Sequence, residues 1–165
     1  AALGVWRRPG WFRWGLAAAL LAAPLAAATI LVPTTVEPAT EIGWTAFDRR
    51  EIPRLVSQGK VVFVDVTADW CLTCQANKAL VLDREPTASL LQGHAVVAMR
   101  ADWTRPDPEI SKYLETHGRF GIPFDIVYGP GAPEGIVLSE ILTASAVRMA
   151  VAEAGRRNLT AGDGK

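Results

Sequence analysis

Two hydrophobic periodicities alternate along the chain beyond residue 42. Lys60-Val61-Val62-Phe63-Val64-Asp65-Val66 is an apolar run with one charged interruption, the pattern of a strand buried on both faces. Ala95-Val96-Val97-Ala98-Met99-Arg100-Ala101 reads the same way. Phe124–Tyr128 and Ile136–Ser139 form a third and a fourth strand. They are joined through Gly129-Pro130-Gly131-Ala132-Pro133, a turn-rich connection that suits a hairpin. Helical spacing fills the intervals. Asp48–Ser57 is amphipathic and stops before Gly59, and from Cys71 onward Leu72, Ala76, Ala79 and Leu80 recur at helical spacing. Asp107-Pro108-Glu109 supplies an N-cap, a proline at the first helical position and an acidic first turn. Ile110, Tyr113 and Leu114 then make one face, and Gly118 stops the helix. Thr143 caps a last helix carrying Val147, Ala150 and Val151, closed by Gly155. The order helix, strand, helix, strand, helix, strand pair, helix predicts an α/β domain with helices packed on a central mixed sheet.

The N-terminal part is different. Trp14 to Val32 is a stretch without a charge, mostly Ala and Leu, and about the length that crosses a hydrocarbon core of roughly 30 Å. Arg7, Arg8 and Arg13 precede it, interleaved with Trp6, Trp11 and Trp14, whereas Pro33-Thr34-Thr35-Val36-Glu37 carries no basic residue. The positive-inside rule then puts the N-terminus in the cytoplasm and everything after Val32 across the membrane. A cleaved secretory signal is the competing reading, because Ala26-Ala27-Ala28 resembles a cleavage site. Either way the part after Val32 is exported. The expected organisation is a basic flank (1–13), a transmembrane helix (14–32), a linker (33–41), an α/β domain (42–155) and a frayed tail (156–165). The first residue is Ala rather than Met, which leads us to expect a piece of a longer protein.

Composition narrows the classes. Half of the residues are hydrophobic, enough for a core, and 17 Lys+Arg balance 17 Asp+Glu. Zero net charge argues against a nucleic-acid partner, which calls for a basic excess or stripe. Setting aside the three N-terminal arginines leaves 14 basic residues against 17 acidic ones after Val32, a mildly acidic exported part. Two cysteines supply neither a disulfide-rich scaffold nor a four-thiolate zinc site.

Both cysteines lie in Trp70-Cys71-Leu72-Thr73-Cys74, directly after the strongest strand and at the opening of a helix. A C-x-x-C across a first helical turn brings two sulfurs close enough to form and break a disulfide without rebuilding the backbone. Free N–H groups and the macrodipole at the helix start favour a thiolate at Cys71, while Cys74, one turn further in, is expected to be less accessible. Attack by Cys71 would give a mixed disulfide that Cys74 resolves. The blander readings are a structural disulfide, half of a metal site, or two inert thiols. So short a loop constrains the unfolded chain little, and His94 and His117 are remote in sequence from the pair. Strand, C-x-x-C, helix is the context that the redox motif requires.

Asp65 interrupts the buried strand six residues before Cys71. A carboxylate there is costly unless neutral or hydrogen-bonded, so its pKa is expected to be raised, and near Cys74 it could take and return a proton. A position at a wet strand end is the alternative. Ile122-Pro123 opens the third strand, an ordinary place for proline.

Val64-Asp65-Val66-Thr67-Ala68-Asp69-Trp70-Cys71-Leu72-Thr73-Cys74, with Phe120-Gly121-Ile122-Pro123, resembles a thioredoxin-fold domain. More closely, the chain resembles the C-terminal domain, with the last transmembrane helix, of the DsbD-type membrane thiol:disulfide interchange proteins. Ala101-Asp102-Trp103-Thr104-Arg105-Pro106-Asp107-Pro108 and the Gly121–Phe124 and Tyr128–Gly131 stretches resemble the suppressor-of-copper-sensitivity protein B branch. The resemblance spans about Ile42 to Gly155. It implies a thioredoxin-like fold and a periplasmic disulfide reductase in the bacterial inner membrane. Electrons would come from an upstream membrane domain of the same parent protein. They would pass on to an N-terminal periplasmic domain or to periplasmic thioredoxin-like proteins. The redox-active Cys71–Cys74 disulfide would serve in place of any added cofactor. Cys71 would be the exposed nucleophile, Cys74 the resolving thiol and Asp65 the buried carboxylate. Pro123, expected cis, would face the disulfide with Ile122 and shape the partner groove. Trp70 would flank the site, or simply pack. Leu72-Thr73 stands where thioredoxin has Gly-Pro, and Lys78 stands where many relatives carry an acidic residue. Lys78 would favour a thiolate, or be a solvated helix residue. Alternatives are a stand-alone anchored thioredoxin-like protein for cytochrome c maturation and a periplasmic module holding Cu(I) between the two thiolates.

Overall fold

A computed structural model describes residues 42–156. The basic flank, the expected membrane helix 14–32, the linker and the tail after residue 156 lie outside the described residues. Among those described, no helix is long and apolar enough to cross a membrane.

In chain order the elements are β1 (Thr45–Ala46), α1 (Glu51–Ser57), β2 (Val61–Thr67), α2 (Leu72–Asn77) continued by a π turn (Lys78–Leu82), and α3 (Thr87–Leu91). They continue with β3 (Val96–Asp102), α4 (Pro108–Thr116), β4 (Phe124–Gly129), β5 (Ala132–Val137) and α5 (Ala144–Ala154). The five strands form one sheet in the order β1-β3-β2-β4-β5. β1 and β2 run parallel to β3, whereas β2–β4 and β4–β5 are antiparallel. This is the mixed sheet that the element order predicts.

β2 is the central strand and is buried from Val61 to Val66. Its alternation sends Val61 and Phe63 into one core, with Leu82, Ala88 and Leu91 of the α2–α3 segment and Val147, Ala150 and Val151 of α5. Val62, Val64 and Val66 enter the other, with Ile52 of α1 and Ile110, Tyr113 and Leu114 of α4. Two predicted caps are in place. Asp107 accepts from the N–H groups of Glu109 (2.8 Å) and Ile110 (3.0 Å), and Thr143 Oγ1 accepts from Ala146 N–H (3.2 Å). Gly118, at φ +66°, takes the left-handed conformation that ends α4.

Four features differ from the sequence reading. The Asp48–Arg50 stretch is a turn, held by Arg50 N–H donating to Asp48 Oδ1, and α1 starts at Glu51. β5 begins at Ala132, not Ile136, because this edge strand tolerates Pro133 and shows no clean alternation. β1 and α3 are too short to leave a periodic signal. The Leu72–Ala76–Ala79–Leu80 stripe is not the buried face of the helix that follows Cys71. Leu72 is 80% and Leu80 71% exposed, and the segment buries Cys74, Asn77 and Leu82 instead. The π turn adds a residue to the helical repeat there and rotates the inward face.

Candidate active site

Cys71 and Cys74 are joined by a disulfide with S–S 1.99 Å, at the C-terminal end of β2 and the head of α2. Cys71 is the N-cap of α2 in an extended conformation, and the Cys74 backbone N–H donates to its Sγ at 3.1 Å. A donor aimed at Cys71 Sγ stabilises negative charge on that sulfur. Cys71 is more exposed than Cys74, but only slightly, 7% against 4%. The expected exposed nucleophile is thus largely covered in the oxidised pair, where Ala68 and Ile122 pack against the two cysteines.

The loop ahead of Cys71 is clamped from the β3–α4 connection. Asp69 N–H donates to Thr104 Oγ1 at 2.9 Å, and Trp70 Nε1 to Thr104 O at 3.2 Å. Trp70 leans on Trp103 with ring centroids 6.5 Å apart and is still 60% exposed. Leu72 and Phe120 (84%) are exposed too, although large apolar side chains are usually covered. Trp103 and Phe120 both line a shallow cleft of about 250 Å³. From below, Asn77 fixes α2: its Nδ2 donates to Glu140 O (2.8 Å), and Leu142 N–H donates to its Oδ1 (3.1 Å). The Ile122–Pro123 bond is cis, and Pro123 is buried.

Asp65 lies in the middle of β2, only 5% exposed and not at a wet strand end. By alternation it shares the face of Phe63, the one covered by the α2 segment and α5. Burial raises its pKa, opposed chiefly by Arg100, whose Nε donates to Asp65 Oδ2 at 3.3 Å. Arg100 also stacks over Trp44, with Cζ 4.0 Å from the ring centroid. Lys78 is exposed, as a solvated residue would be, and its charge acts on Asp65, where it lowers the pKa.

Sequence reasoning missed Asp125, Arg100, Thr104 and Asn77. Asp125 is 2% exposed and pairs across the sheet with Asp65. Burial first, and then the Asp65 charge, push its carboxyl well above the ordinary carboxylate range. The signal that singles out Asp65, a lone charge inside an apolar strand, was present at Asp125 as well. A further cleft of about 580 Å³, lined in part by Arg49, Tyr113, His117 and Tyr128, includes none of the sequence-predicted site residues. Among the described residues no cluster of three or more His, Cys, Asp or Glu is placed to hold a metal ion.

A mixed sheet with a C-x-x-C disulfide after its central strand defines the class: a thioredoxin-like oxidoreductase fold. The thioredoxin-like family model matches residues 43–130, more than half of the chain, and the chain belongs to that family. Among solved structures it is similar to the C-terminal domain of Neisseria meningitidis DsbD in the reduced form, at 20% identity and TM-score 0.51, over 66% of this chain and 99% of that one. It is also similar to a thioredoxin from Thermus thermophilus, at 18% identity and TM-score 0.52, over 68% and 90% of the two chains. A third is the DsbH oxidoreductase, at 17% identity and TM-score 0.50, over 74% and 92%. These likenesses are of fold. No curated protein matches the chain significantly.

Proposed function

We propose that the chain is the membrane-tethered, periplasmic thiol–disulfide exchange domain of a DsbD-type reductase, in the suppressor-of-copper-sensitivity protein B branch. In this role it relays electrons from a membrane domain to the disulfide of a periplasmic partner. The observation that carries the reading is the Cys71–Cys74 pair itself, capping α2 with a donor aimed at the Cys71 sulfur and a buried carboxylate on the covered face of the strand before it. The uncharged stretch 14–32, the preceding arginines and the fold likeness to a DsbD C-terminal domain support the tether and the relay.

In the reduced domain the Cys71 thiolate attacks one sulfur of the partner disulfide. The other partner sulfur leaves as a thiolate, and a mixed disulfide forms. The Cys74 thiol then gives its proton to the Asp65 carboxylate and attacks Cys71 Sγ. The Cys71–Cys74 bond closes and the second partner sulfur departs. Two electrons have passed to the partner, and the membrane domain returns two. Trp70, Leu72 and Phe120 are the exposed apolar side chains suited to receive a partner, beside Ile122 and Pro123. No added cofactor is required.

The test is trapping. Cys74→Ser should accumulate a mixed disulfide with a periplasmic thiol protein, and Cys71→Ser should accumulate none. Normal turnover by the Cys74→Ser chain would refute the two-thiol mechanism.

A further inference from the structure

Each of the three central strands carries one charged residue in its apolar middle, and the register sets them in a single row. Arg100 on β3 is the partner of Asp65 on β2, and Asp65 is the partner of Asp125 on β4. The row thus holds one guanidinium and two carboxyl groups, with Asp65 between the other two. Arg100 Nε donates to Asp65 Oδ2 at 3.3 Å, while buried Asp125 Oδ1 has no hydrogen-bond partner and neither does Arg100 Nη2. Directly opposed residues of an antiparallel pair hold their Cβ atoms about 4.5–5.5 Å apart. Two carboxylates that close, away from water, do not both ionise. The other charges acting on Asp65 are Lys78 and Asp83, from the segment covering this face, and the charge acting on Asp125 is that of Asp65.

We propose that Asp65 and Asp125 form one buried acid pair holding a single proton at neutral pH. Asp125 is the protonated member, and the pair, rather than Asp65 alone, sets the proton affinity of the group that serves Cys74. The inference rests on the thiol–disulfide reading and deepens it. Arg100 compensates one negative charge, which assigns the ionised state to its hydrogen-bonded partner Asp65 and the neutral state to Asp125. During resolution Asp65 takes the Cys74 proton and the pair holds two. One proton then leaves to solvent and the pair returns to its starting charge. Asp125 reaches no sulfur in this scheme; it is a positioning residue that acts through Asp65. Two such carboxyls titrate as a unit, in two macroscopic steps that belong to the pair.

The experiment is a carboxyl titration of the full chain in detergent micelles, labelled with ¹³C at aspartate Cγ. The chain is kept oxidised so that neither thiol titrates, and Asp65→Asn and Asp125→Asn assign the two buried resonances. We expect both resonances to move together and to report one bound proton at pH 7. In Asp125→Asn, Asp65 should be ionised at pH 7 with a single midpoint, at least one pH unit below the upper midpoint of the wild-type pair. The pH midpoint for resolving the mixed disulfide should move in the same direction, which a merely structural carboxyl would not cause. Two fully ionised carboxyls at pH 7, independent titrations, or an Asp65 curve unchanged by Asp125→Asn would overturn the proposal. The wild-type titration alone decides if the variant fails to fold. The trapping experiment separates the layers. A shared proton in a chain whose Cys74→Ser variant traps nothing overturns the exchange reading and, with it, the assignment of the pair to Cys74. Normal trapping with independent carboxyls overturns the pair alone.

Discussion

Replacing Asp125 by Asn keeps the shape of the side chain and removes its proton equilibrium, so its effect on stability should depend on pH. The folded-state pKa of Asp125 is raised well above the ordinary value by burial and by Asp65. The folded chain therefore holds a proton that the unfolded chain releases above about pH 3.9. Stability falls as pH rises from there through the folded pKa, by about 1.4 kcal/mol per pH unit for one proton. Asp125→Asn does not suffer this loss. Its advantage over the wild type should start near zero at about pH 4 and grow with that slope up to the folded-state pKa. Any mismatch of the new amide, which costs about 1–3 kcal/mol if left unpaired, shifts the whole curve without changing its slope. Urea unfolding followed by tryptophan fluorescence, at each pH from 4 to 8 with the disulfide oxidised, reads the difference directly. A difference that stays flat with pH would refute the claim that Asp125 is protonated in the folded chain.

Three further substitutions probe the site. Asp65→Asn should leave the domain folded and slow resolution by about 10²-fold or more, the usual weight of a positioned proton acceptor, so that mixed disulfide accumulates in quenched-flow samples. An unchanged rate would leave Asp65 a structural role only. Asn77→Ala strips the hydrogen bonds that tie α2 to Glu140 and Leu142, and should cost about 2–4 kcal/mol in urea unfolding, because buried backbone groups lose their partners. Trp70→Ala should change stability by less than about 1 kcal/mol, as expected of a side chain that is 60% exposed, yet raise KM for the partner severalfold. A KM equal to that of the wild type would remove Trp70 from the docking surface.

The central sheet and the cysteine pair were legible because they rest on local signals. Long apolar runs mark β2, β3 and β4, and a C-x-x-C between a strand and a helix has few structural uses. The edges were less legible. Two-residue β1 is defined by its pairing with β3, which no local pattern reports, and β5 contains Pro133. The α2 stripe misled because Leu72, between the cysteines, and Leu80, on the π turn that follows α2, are hydrophobic residues left exposed, and only Leu72 lies where the proposed function wants it. The charged row shows a different limit. Asp65, Arg100 and Asp125 each stand out as a lone charge in an apolar strand, but their meeting depends on the order and register of β3, β2 and β4. Thr104 and Asn77 gave no such sign, since a threonine in a loop and an asparagine on a helix are ordinary until the chain brings Asp69 and Leu142 to them.

The reduction potential of the Cys71–Cys74 pair tests the central claim most directly, by equilibrating the chain with glutathione or dithiothreitol buffers and counting thiols after an acid quench. A reductant relay predicts reversible exchange at about −220 to −270 mV, the range of glutaredoxins and thioredoxin. A value near about −120 mV would make the pair an oxidant, and one below about −300 mV that exchanges with neither buffer would make it a structural disulfide. Either result would contradict the account.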